Sequence, residues 1–134
     1  MAGDSADDIT DDAEIDVISL TIPAAMRFVR LVRIGAASIG RRKGLSVRSI
    51  DDLRLAVDET FALLLADADH AGAVDVSIEV DDHELLVNAV QRLDDGALTV
   101  APDALTRFEV VIADLVDRFE ADTSTGVVQF TKRL

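Results

Sequence analysis

Helices laid on one face of a mainly antiparallel four-stranded sheet, a two-layer α/β sandwich, is the fold class this sequence predicts. Three observations carry that expectation. Val74, Val76, Ile78 and Val80 alternate strictly with Asp75, Ser77 and Glu79, which marks a strand with one buried face. Asp81-Asp82 separates this run from a second extended stretch, Glu84 to Gln91, so the two form a hairpin. Three stretches with helical apolar spacing flank the hairpin, two before it and one after it, which segregates helices from strands.

The elements follow in order. Ile15 to Ile22 alternates loosely and reads as a first strand, which Pro23 then stops. From Ala24 to about Ile39, Phe28, Leu31, Val32, Ala36 and Ile39 recur at helical spacing. Gly40 and Gly44 bracket Arg41, Arg42 and Lys43, which predicts a helix end and a basic loop. Ser49, with Asp52 three residues on, opens a second helix whose stripe is Leu53, Val57, Phe61, Leu64 and Leu65. After the hairpin, Arg92 to Ala101 is a loop. Pro102 and Asp103 start a third helix, whose stripe runs through Leu105, Phe108, Val111, Ile112, Leu115, Val116 and Phe119. A turn from Asp122 to Gly126 leads to a last strand, Val127 to Lys132.

The 134 residues suit one domain, read as residues 15–134, preceded by a disordered acidic tail, residues 1–14. A hydrophobic content of 49% is enough to build a core without a metal or disulfide, and the absence of cysteine removes thiol chemistry and Cys-based zinc sites. A net charge of −13 argues against a nucleic-acid binder, because phosphates are repelled on average. No apolar run is long enough for a membrane span and the acidic start is unlike a signal peptide, so a cytoplasmic protein without a membrane partner is expected.

The charge is unevenly placed. Residues 1–16 carry −7, residues 17–50 carry +7 and residues 51–134 carry −13. The middle block contains seven bases and no acid. Two readings follow: internal balance by exposed ion pairs, each weak, or a docking surface for an acidic protein partner.

Few residues suggest catalysis. Asp67, Asp69 and His70 lie at a helix end and read as solvated rather than metal-binding, and no phosphate-binding glycine loop is present. Glu59 differs, because it lies mid-helix among buried positions, where an ionised carboxylate needs a reason: pairing with an arginine of the basic block, residues 17–50, or a vestigial role as a general base.

The stretches Ser19–Ala24, Phe28–Arg33 and Asp51–Glu59, with Ala101–Ala104 and the helix that follows, resemble the RsbW-type anti-sigma factors, serine kinases of the histidine-kinase-like ATPase (Bergerat) fold. The resemblance covers residues 17–134, is strongest over Asp51–Glu59, and implies three helices on one face of a mixed sheet. In that family the second helix carries a Glu and, four residues on, an Asn that holds magnesium. Here Glu59 is kept as a vestige and Leu63 stands at the Asn position, with no oxygen for a hard cation. The family's adenine-contacting Asp falls on Gln91. A three-residue shift offers Asp94 and Gly96 as the nucleotide-binding remnant, with Leu98 in place of the second glycine. The glycine-rich lid is missing between Leu98 and Asp103.

The resemblance therefore implies a degenerate member, a pseudokinase with no catalytic residue, no metal site and no obligatory ATP or magnesium. It implies an anti-sigma protein that sequesters a sigma factor, binds a STAS-fold anti-anti-sigma factor and homodimerises. Arg27, Arg30 and Arg33 fall near the positions through which the family contacts partners. The alternative function is an active ATP-dependent serine/threonine kinase acting on the STAS partner.

Overall fold

The computed structural model describes residues 15–134, and the acidic segment 1–14 lies outside the described residues. The elements are β1 (Asp16–Pro23), a 3-10 turn (Met26–Phe28), α1 (Val29–Arg42), α2 (Val47–Leu65), β2 (Gly72–Val80), β3 (Glu84–Leu93), α3 (Pro102–Ala113), β4 (Arg118–Asp122) and β5 (Val127–Arg133). The strands form one open sheet in the order β1-β2-β3-β5-β4. Every pairing among the described residues is antiparallel. The sheet thus has five strands where four were expected, and it is not mixed.

The alternating run in β2 does what its pattern demands. Val74, Val76, Ile78 and Val80 are buried and join Leu85, Val87, Ala89, Val128 and Phe130 on the face that the helices cover. Asp75, Ser77, Asn88 and Gln129 lie on the opposite, partly exposed face. At the β2–β3 turn the Asp81 carboxylate accepts from the His83 and Glu84 amides, at 2.7 and 2.9 Å. Those two bonds hold its pKa below the usual carboxylate value.

The extra strand explains the third helix. α3 stops at Ala113, and residues 118–122 pair with β5. The expected helix through Phe119 was too long because 108, 112, 115, 116 and 119 keep helical spacing across the break. Phe119 still reaches the core, since its ring meets Phe108 edge-on with centroids 6.1 Å apart. Asp114 is the C-cap of α3, its amide donating to the Val111 carbonyl at 3.3 Å. Asp117 already donates its amide to Thr131, at 2.9 Å.

Two further boundaries move. α2 is capped by Ser46, whose hydroxyl oxygen accepts from the Ser49 amide at 3.1 Å, so the helix opens one turn before the expected Ser49. α1 continues through Gly40 to Arg42, so Arg41 and Arg42 are helical, with Lys43 at the C-cap. Gly40 is buried where α1 meets α2. A Cβ there would lie 3.0 Å from Leu45 and 3.5 Å from Leu53. Close packing selected this glycine, and Gly44, with φ +84°, ends the helix.

α2 ends on Ala66 in the left-handed conformation, φ 51°, where most helices use glycine. Its last carbonyls are met by side chains: Gln91 Nε2 donates to Leu64, and His70 Nε2 donates to Leu65 at 2.8 Å. Because a Cβ makes the left-handed region costly, Ala66→Gly is expected to raise stability by about 0.5–1 kcal/mol. A rise in the urea midpoint at unchanged slope checks this.

Asp75 ties three strands together. It accepts from the Thr21 hydroxyl on β1 at 2.7 Å and from both Nε and Nη2 of Arg92 on β3, at 2.9 and 3.1 Å. The Arg92 hydrogen bonds, followed by the Thr21 bond, pull its pKa from 3.8 to about 2. A carboxylate with a lowered folded-state pKa contributes stability above its unfolded value and loses it as pH falls towards the folded value. The stability difference between the wild type and Asp75→Asn is therefore expected to be present at pH 5 and to shrink between about pH 4 and pH 2. Urea unfolding at those pH values measures it. The effect is modest because both partners are largely solvated.

Candidate functional site

The side of α2 that faces α3 is filled by protein. Glu59 is mostly buried, its side chain 19% exposed, and Arg107 of α3 donates to its Oε1 at 3.1 Å. One turn on, Leu63 is buried in the core. Towards the start of α2, Asp52 lies 3.6 Å from Lys132 Nζ, which also donates to the Leu115 carbonyl at 2.7 Å. Two ion pairs therefore clamp α2 to α3 and β5. Gln91 is likewise engaged, its amide nitrogen donating to Leu64 and its backbone N–H to the Gly126 carbonyl.

Asp94 and Gly96 follow the end of β3. The Asp94 amide donates to Ala71 at 3.0 Å and the Gly96 amide to Leu93 at 3.2 Å, forming an exposed turn after β3. Gly96 lines a groove with Asp69, His70 and Asp95. Asp69 is occupied by the Met26 amide and by Arg27, at 3.3 and 3.2 Å. No group of three or more His, Cys, Asp or Glu among the described residues is placed to hold a metal. No helix among them is long and apolar enough to cross a membrane.

The other concentration of function-bearing residues is the outer face of α1 and α2. Arg30, Arg33, Ile34, Ser38 and Arg41 from α1, with Arg54 from α2, line an open groove of roughly 460 Å³ that has no acidic lining residue. The α1 members follow helical spacing, 30, 34, 38 and 41, which stacks them on one stripe. Arg33 bonds Asp58 at 2.6 Å, and Arg54 bonds Asp51 at 3.1 Å. Arg30, Arg41, Arg42 and Arg48 have no ion-pair partner among the described residues. Leu31, Ile34 and Leu55 are half exposed beside them. The result is a basic surface with apolar patches on an acidic protein.

Of the three arginines singled out in the sequence, the fold brings Arg30 and Arg33 into this groove. Arg27 points elsewhere, pairing with Asp69 and lying 4.8 Å over its neighbour Phe28. Arg41 and Arg54 were missed. The signal for Arg41 was its eleven-residue offset from Arg30, three helical turns on, which the reading of Gly40 as a helix end concealed. Arg54 joins only through the packing of α2 on α1, which no local pattern displays. Comparison with models of known families and with curated proteins finds no match.

Proposed function

We propose that the protein is a non-catalytic regulator that works by docking an acidic protein surface on the α1–α2 arginine groove, as an anti-sigma factor docks its sigma factor. The observation that carries this reading is the groove itself: four arginines with exposed apolar neighbours and no acid in the lining. Two of those arginines have no ion-pair partner among the described residues. Such a surface steers an acidic partner and binds it through charge and apolar contact together.

The order strand, two helices, hairpin, helix, hairpin supports assignment to the histidine-kinase-like ATPase fold. The positions at which that fold would run kinase chemistry speak for a silent member. Phosphoryl transfer depends on positioned cations and donors around the phosphates, whereas Leu63 is core, Glu59 is paired with Arg107 and Gln91 is spent on the end of α2.

Calorimetric titration with the sigma factors and STAS-fold proteins of the same cell tests the proposal. One of them is expected to bind, more weakly at high salt, and Arg30→Glu/Arg41→Glu is expected to weaken that binding at least about tenfold, ~1.4 kcal/mol. The folded state should change by no more than about 0.5 kcal/mol, because both side chains are exposed. No binding to any of them, or equal binding by the double variant, rejects the reading.

A further inference from the structure

Asp95-Gly96 is the single Asp-Gly pair in the chain. Glycine has no Cβ to shield its amide nitrogen, so that nitrogen can reach the carboxyl carbon of the residue before it. We propose that Asp95 is a site of spontaneous covalent modification, where the turn after β3 converts from an aspartyl to an isoaspartyl linkage.

The fold leaves this pair open and closes its rivals. Asp95 and Gly96 are exposed, and a Cβ built on Gly96 would meet nothing within 4 Å. None of the ion pairs among the described residues engages Asp95. The Gly96 amide is held by one local bond, to the Leu93 carbonyl at 3.2 Å. The neighbouring acids differ. Asp94 is followed by Asp95, whose own side chain shields the amide. Asp103 is followed by Ala104, which lies within α3, and its carboxylate accepts from the Ala104 amide at 3.1 Å. Asn88, the one asparagine, is locked in β3 between β2 and β5.

The rearrangement needs water alone. The Gly96 nitrogen attacks Asp95 Cγ, a C–N bond forms, and the carboxyl hydroxyl leaves with the amide proton as water. The resulting cyclic imide takes up one water at the Asp95 main-chain carbonyl carbon, where the original peptide C–N bond breaks. The main chain then runs through Cγ, one methylene longer, and the former main-chain carbonyl is the free carboxylate. Mass and charge are unchanged. The chain beyond absorbs the extra length, because Ala97 to Val100 enter no turn or loop backbone hydrogen bond among the described residues. The modified form therefore accumulates in folded protein, altered only in the link between β3 and α3.

Trypsin tests this directly, because Arg92 and Arg107 flank the site and release residues 93–107 as one peptide. Full-length protein is held for weeks in mildly acidic buffer, where the protonated carboxyl is the better electrophile. A second peak of unchanged mass should grow for this peptide, and electron-transfer fragmentation should place isoaspartate at Asp95. An isoaspartyl-specific carboxyl methyltransferase with labelled S-adenosylmethionine should label the aged protein in step with that peak. Gly96→Ala should suppress both signals, because its methyl group shields the nitrogen. With one turn hydrogen bond to release, the folded rate should lie within about tenfold of the rate in urea, ~1.4 kcal/mol of barrier. Four outcomes overturn the proposal: no isomer peak, isoaspartate at Asp94 or Asp103 instead, growth undiminished by Gly96→Ala, or a folded protein slowed well beyond that factor. No partner enters the test, so its outcome is independent of the docking function.

Discussion

Leu63→Asn is expected to destabilise the protein by about 3–5 kcal/mol without creating magnesium-dependent nucleotide binding. Asparagine is the residue that the resembled kinases carry there, so a chain that had merely lost one ligand would regain function. Leu63 instead belongs to the buried core and is 6% exposed. The substitution removes an aliphatic side chain from that core and leaves amide groups without water or partners. Glu59, one turn away, is already held by Arg107, so an oxygen at 63 gains no free carboxylate beside it. Urea unfolding measures the first effect and titration with Mg-ATP the second. A loss below about 1 kcal/mol, together with a magnesium-dependent heat, would show that the site is open rather than packed shut.

Phe61→Ala should cost about 3–5 kcal/mol, roughly a fifth or more of the stability of an ordinary domain. Phe61 is fully buried in the middle of α2, and the core around it is built from α1, α2 and the sheet. Neighbours on two layers cannot collapse together into the space the ring leaves, so the cavity term adds to the lost transfer energy. The arginine groove is formed where α1 packs on α2, so loosening this contact is also expected to weaken partner binding. The chemical-denaturation midpoint reads the stability loss directly. A shift equivalent to less than about 1.5 kcal/mol would mean that α2 is not the centre of the core.

Much of the architecture was legible because period and punctuation agreed. β2 and β3 were visible from strict alternation on either side of Asp81-Asp82, and α3 began where Pro102 and Asp103 announced it. β4 was hidden because Leu115, Val116 and Phe119 face the same core whether the backbone is helical or extended. Gly40 was ambiguous because one residue type serves both a helix end and a close helix contact, and only the approach of Leu45 and Leu53 distinguishes them.

The candidate site was legible in charge but not in geometry. The seven bases of residues 17–50 foretold a basic surface, yet which of them converge depends on the length of α1 and on how α2 packs against it. The need of Glu59 for a cationic partner was readable, but the partner lies 48 residues away on another helix. It is Arg107, and not an arginine of the basic block. Gln91 carried no signal for its role at the end of α2, because that role is created by the left-handed turn at Ala66.

The most direct test of the account is an amide-shift map of the isotope-labelled protein, titrated with the sigma factor or STAS-fold protein that binds it. Perturbations are expected to cluster on Arg30, Ile34, Ser38, Arg41 and Arg54, with α3 and the turn at Asp94–Gly96 silent. A footprint centred on Glu59, Leu63 and Asp94 instead would contradict the claim that this protein acts through its arginine groove.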